Sequence, residues 1–260
     1  MRIAVIGAGA LGLYYGAMLQ RGGNEVQFLL RRDFEAIRST GLRVTSPHGD
    51  FHLEQVAGFR STSEMNEVDL ILVGLKTFAN DRLVELCAPL MKHSGAMVLT
   101  LQNGLGNEEL LAEAFGAQRV LGGIAFLCSN RGEPGSVHHL DQGRIRIGEL
   151  QPGMSERLQA LAETFNASGI ECEAVEDLQK ARWEKLVWNI PFNGLCALLQ
   201  QGTGTLLACD ELRAEIAAIM HEVVAAGNAQ GLSSSIDGPA FVARMLKVTL
   251  GMGDYRPSMM

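Results

Sequence analysis

Ile3-Ala4-Val5-Ile6-Gly7-Ala8-Gly9-Ala10-Leu11-Gly12-Leu13-Tyr14-Tyr15 runs a short apolar segment straight into the pattern G-x-G-x-x-G. A strand feeding that turn and then a helix is the context in which the pattern binds a dinucleotide. Gly7 and Gly9 carry no side chain, so the backbone can approach a pyrophosphate closely, and the first helical N–H groups, at Ala10 and Leu11, face its charge. Gly12 allows the helix and the strand to pack closely. The competing reading is a tight turn that opens an ordinary βαβ unit.

Working outward, residues 25–30 read as a second strand ending at Arg31-Arg32. The end of that strand decides between the two nicotinamide dinucleotides: a carboxylate accepts from the ribose 2′-hydroxyl, whereas arginine suits a 2′-phosphate. Arg31 lies 31 − 12 = 19 positions after Gly12, close to the spacing expected of the selector, which favours NADPH. Asp33, two residues on, would restore the acid, and two solvated surface arginines are the plain alternative. Lys76 follows the apolar run 69–75, and Gln102-Asn103-Gly104 follows the run 97–101. Both lie at C-terminal ends of strands, the edge where open α/β sheets bind ligands. Asn103-Gly104 by itself is also a turn signal.

The runs at 69–75 and 97–101 suit strands covered on both faces. Residues 42–46 and 51–56, parted by Pro47-His48-Gly49-Asp50, suit a hairpin. Helical spacing is expected at 79–92 and 107–115, and strand-like pieces near 120–127, 135–140, 144–148 and 170–175. This alternation predicts a Rossmann-like, doubly wound α/β domain over 1–176. From 177 the texture becomes helical, with helices over 177–200, 211–230 and 237–250, so 177–260 is expected to be an all-helical domain. An active site is then expected in the cleft between the two.

Within the first of those helices, Lys185, Asn189 and Asn193 are spaced i, i+4, i+8 and share a face. The stripe suits a polar lining, and equally a solvent-facing side of an amphipathic helix. Pro191 removes a backbone donor there and should kink the helix.

Composition narrows the partners. Of 260 residues, 47% are hydrophobic and 20% charged, with a formal net charge of −7. That charge disfavours nucleic acid and anionic membrane, so an anionic ligand needs a local basic pocket. Five cysteines form no C-x-x-C pair, and adjacent His138-His139 is a poor metal site. No metal is expected. A cytoplasmic location fits the cysteine usage and the lack of a long apolar stretch.

Taken together, Gly7-Ala8-Gly9-Ala10-Leu11-Gly12, Leu75-Lys76, Gln102-Asn103-Gly104, Trp183-Glu184-Lys185-Leu186 with the asparagines, and Arg256-Pro257-Ser258-Met259 resemble the ketopantoate reductases. The resemblance covers the chain. It implies NADPH-dependent reduction of 2-dehydropantoate, a small 2-oxo acid, to (R)-pantoate on the path to pantothenate and coenzyme A. It further implies Lys185 as general acid, Asn103 and Ser258 as contacts to the substrate carboxylate, and Asn189 and Asn193 as polar lining. Arg31 would meet the 2′-phosphate, and Lys76 would stand near the nicotinamide. A lysine needs a pKa lowered toward ~7–8 to serve as that acid at neutral pH. The family continues past the serine motif to an acidic residue that Met260 precedes, so truncation of the helical domain is expected, with an apolar helical face left to form a homodimer. Reduction of another short 2-oxo acid, and a non-catalytic NADPH sensor, are the rival functions.

Overall fold

The computed structural model describes residues 1–260 and divides into two compact units, Met1–Leu178 and Gln179–Met260. The first unit contains, in order, β1 (Arg2–Ile6), α1 (Ala10–Arg21), β2 (Glu25–Leu29), α2 (Phe34–Thr40), β3 (Leu42–Thr45), β4 (Phe51–Leu53), β5 (Ala57–Phe59) and β6 (Leu70–Val73). It continues with α3 (Leu83–Met91), β7 (Met97–Thr100), α4 (Asn107–Phe115), β8 (Val120–Arg131), β9 (Ser136–Glu149), α5 (Glu156–Ala167) and β10 (Cys172–Ala174).

All ten strands form one sheet, ordered β4-β3-β9-β8-β7-β6-β1-β2-β5 with β10 beside β9. The block β8-β7-β6-β1-β2-β5 is parallel throughout. Its chain order reverses between β1 and β6, which is the topological switch point where α/β sheets take their ligands. Side chains alternate across it. Ile3, Val5, Leu70 and Leu72 enter one core with residues of α1 and α5, while Ala4, Ile6, Ile71 and Val73 enter a second with α3 and α4. That double burial is why the strands read as unbroken apolar runs.

Three features depart from the sequence reading. The pieces at 135–140 and 144–148 are one strand, β9, antiparallel to β8, so the sheet is mixed. Irregularities at Phe126/Leu127 and Cys128/Ser129, with Gln142 at φ 60° and Gly143 at φ 119°, absorb the extra residues that looked like a break. The expected helix over 79–92 starts as a 3-10 turn, Thr77–Arg82, before α3. Helix α5 was not read from the sequence at all; Ser155 Oγ caps it by accepting from Leu158 N at 3.1 Å.

The second unit is helical: α6 (Leu178–Leu199, whose first residue belongs to the first unit), α7 (Thr203–Ala208), α8 (Asp210–Asn228) and α9 (Gly238–Gly251). It has its own core, in which Val187, Phe192 and Cys196 of α6 pack with Leu206, Ile216, Met220 and Phe241. Asp237 caps α9 by accepting from Ala240 N at 3.3 Å, with Pro239 in the first turn. α7 is a further short helix between those expected over 177–200 and 211–230. No helix is long and apolar enough to cross a membrane.

Candidate active site

The glycine turn lies at the switch point, and its three glycines do different work. Gly7 has φ +99°, and a Cβ there would stand 2.4 Å from Leu75 N, so only glycine allows the turn to lie against the end of β6. A Cβ on Gly12 would meet Gly7 O at 2.2 Å, so this glycine sets how closely α1 packs on the turn. Gly9 is different: a Cβ there would find no atom within 4 Å. The space beside it is open. Gly9 is also the N-cap of α1 and offers no side-chain acceptor, so the first N–H groups of the helix, including those of Ala10 and Leu11, have no capping side chain. An open cradle against uncapped helical N–H groups fits a dinucleotide pyrophosphate.

Because the block is parallel, Arg31, Lys76 and Asn103 emerge at the same edge, after β2, β6 and β7. Arg31 is exposed and Arg32 donates from Nη2 to Gly132 O at 3.1 Å. Asp33, the rival selector, is only 2% exposed. Its carboxylate accepts from Arg131 Nη2 and from Gly135 N, the latter at 3.2 Å. The acid is therefore committed to the end of β8 and the loop that follows it, while Arg31 stays exposed.

Lys76 is exposed and opens the Thr77–Arg82 turn. Asn103 is exposed, and its carbonyl accepts from Asn107 Nδ2 at 3.2 Å. Asn80 and Asn107 were missed in the sequence. Each lies four residues after a residue that was singled out, the only local signal they carry.

In the second unit, Lys185, Asn189 and Asn193 all lie on α6 and all are half-buried. None of residues 181–189 is exposed, so the solvated-face reading of the stripe fails. Pro191 sits inside α6, which continues through it to Leu199. Burial, joined by the neighbouring Arg182 charge, lowers the Lys185 ammonium to about 7. Arg182 is itself lowered to about 10 by burial. That neighbour lies one helical turn before Lys185 on the same helix.

Around the stripe, Trp183 packs over Gly227, where a Cβ would come within 3.1 Å of the ring. Trp188 Nε1 donates to Thr249 Oγ1 at 2.9 Å and its ring lies 6.1 Å from that of Tyr255. Tyr255 O accepts from Thr203 N at 2.9 Å, which ties the segment before Ser258 to α7. Ser258 is exposed in a turn closed by Met260 N donating to Pro257 O at 3.0 Å.

Comparison with known proteins agrees across both units. A family model described as ketopantoate reductase PanE/ApbA matches residues 3–152, and its C-terminal counterpart matches residues 177–260. A 2-dehydropantoate 2-reductase from Nostoc sp. is 42% identical, over 99% of this chain and 81% of its own length. One from Halobacterium salinarum is 33% identical, over 90% of this chain and 78% of its own. The crystal structure of 2-dehydropantoate 2-reductase from Geobacter metallireducens superposes with TM-score 0.97 at 58% identity, covering 100% of this chain and 85% of that one.

Proposed function

Since the chain belongs to the ketopantoate reductase family, we propose that it reduces 2-dehydropantoate to (R)-pantoate, with NADPH as the hydride donor. NADPH when bound supplies the hydride that reaches the ketone carbon. As negative charge develops on the ketone oxygen, Lys185 Nζ donates its proton there. The observation that carries this reading is the Lys185 ammonium at about 7, which can give up a proton at neutral pH where an ordinary lysine cannot.

Asn103 and Ser258 hold the substrate carboxylate in this reading, and Asn189 and Asn193 line the path with neutral donors and acceptors that leave the Lys185 proton undisturbed. The turn at Gly7, Gly9, Ala10, Leu11 and Gly12 cradles the pyrophosphate. Arg31 pairs with the 2′-phosphate, supported by the burial of Asp33 with Arg131. Lys76 stands by the nicotinamide. Five free thiols accord with a cytoplasmic setting. Exposed Leu198, Val248 and Leu250 offer apolar surface to a homodimer, which sedimentation would reveal.

Loss of NADPH absorbance with a panel of short 2-oxo acids tests the substrate. The expected result is turnover of 2-dehydropantoate well above that of the others. Preference for a different 2-oxo acid moves the assignment to that acid, and NADPH binding without turnover of any of them leaves a sensor.

A further inference from the structure

We infer that Asn80 is a positioning residue, the centre of a chain of side-chain amides that holds the Lys76 and Asn103 loops in register for the reaction proposed above. Thr100 Oγ1 donates to Gln102 Oε1 at 3.1 Å, and Gln102 Nε2 donates to Asn80 Oδ1 at 2.8 Å. Asn80 Nδ2 then donates to Asn107 Oδ1 at 2.8 Å, and Asn107 Nδ2 donates to the carbonyl of Asn103 at 3.2 Å. Each amide accepts at its oxygen and donates at its nitrogen, so the chain has one direction. Only a carboxamide does both at these reaches.

Three segments meet through Asn80: the turn that follows Lys76, the end of β7, and the first residue of α4. Gln102 and Asn107 are 3% and 1% exposed, so their amides need these internal partners. The loop between them, residues 103–106, carries two glycines in the left-handed region. Gly104 and Gly106 have φ +92° and +87°, and a Cβ on either would find nothing within 4 Å. The amide chain, ending on the backbone of Asn103, ties this loop to the turn that follows Lys76. Asn80 therefore acts on the reaction through Asn103 and the Lys76 turn without touching substrate. The inference rests on the proposed function for its kinetic consequence, though the hydrogen-bond chain has a readout of its own.

The test compares Asn80→Ala and Asn80→Asp with the wild-type chain. Asn80→Ala should lower kcat/KM for 2-dehydropantoate about tenfold to a hundredfold, because a misplacement of about 1 Å is that costly. Affinity for NADPH, followed by its fluorescence, should change less than about threefold. Asn80→Asp keeps the shape but cannot donate to Asn107 until its carboxyl is protonated, so its activity relative to wild type should recover as pH falls toward about 4. Lys185 and Glu108 are common to both proteins, and the ratio removes whatever they contribute. Hydrogen–deuterium exchange of residues 101–107 should quicken in Asn80→Ala without any turnover being needed.

Unchanged exchange in that segment overturns the inference, whether or not the enzyme is active. So does an Asn80→Asp defect that is the same at about pH 4 and about pH 8. Wild-type inactivity toward 2-dehydropantoate overturns the proposed function alone, since quickened exchange would still support the role of Asn80.

Discussion

With Lys185 as the proton donor proposed above, its protonated form is the competent one, and burial lowers its ammonium to about 7. kcat/KM should therefore be level below about pH 7 and fall about tenfold per unit above it, a break that Lys185→Ala should abolish along with a hundredfold or more of the activity. The same shift is a statement about stability. A lysine lowered on folding binds fewer protons in the native state than in the unfolded one, so the native state gains stability as pH rises from about 7 to the unfolded value of about 10.5. Lys185→Met should then raise Tm most below about pH 7, by the equivalent of at most about 5 kcal/mol, with the gain fading above about pH 10. Thermal melts across pH check the sign. Arg31 and Asp33 make a second contrast. Arg31→Ala should weaken NADPH about ten- to a hundredfold and leave NADH unchanged, because one charge-assisted hydrogen bond is lost. Asp33→Ala should leave cofactor preference alone and cost about 2 kcal/mol of stability by stranding Arg131, read in denaturant midpoints. Equal weakening of both cofactors by Arg31→Ala would remove it from the 2′-phosphate.

At the scale of elements, the turn between β1 and α1 separates folding from binding within a few residues. Gly9→Ala adds a methyl to open space at an ordinary φ of −81°, so the fold should tolerate it, but the methyl occupies the room beside the uncapped helix end. NADPH affinity should fall at least about tenfold while Tm hardly moves. Gly12→Ala drives a methyl to 2.2 Å from Gly7 O, and α1 must shift away from the turn. That variant should lose about 1–3 kcal/mol of stability as well as cofactor affinity. Calorimetry of melting and of NADPH binding on both variants distinguishes the roles, and equal destabilisation by the two would show that Gly9 is not beside the ligand.

For the whole molecule, each unit owns a hydrophobic core, two flanking the sheet of Met1–Leu178 and one inside Gln179–Met260. The groups assigned to the cofactor lie in the first unit and the proton donor lies in the second. A fragment of residues 1–178 should bind NADPH within about threefold of the full chain and turn over no ketone, by fluorescence titration and absorbance assay. Failure of the folded fragment to bind NADPH would mean that the second unit supplies cofactor contacts.

Much of this was legible along the chain because the signals are local. Gly7, Gly9 and Gly12 act within one turn, β1 and β6 declare their burial by composition, and Lys185, Asn189 and Asn193 declare a shared face by spacing. Helix α5 could have been found the same way, since Leu158, Leu161, Ala162 and Phe165 are its buried residues and fall at helical spacing. The rest depended on residues brought together only by the fold. Asp33 is removed from the cofactor question by Arg131, 98 positions away, and Asn80 finds Gln102 across 22. The lowering of Lys185 comes chiefly from its burial, which no spacing encodes. Local backbone geometry and periodicity follow from neighbours in sequence, so the chain alone determined the dinucleotide turn, the strands and the polar stripe. Charge, desolvation and hydrogen-bond partnership follow from neighbours in space, so the tertiary structure alone decided which acid is paired, which lysine is desolvated, and which amides reach the Asn103 loop.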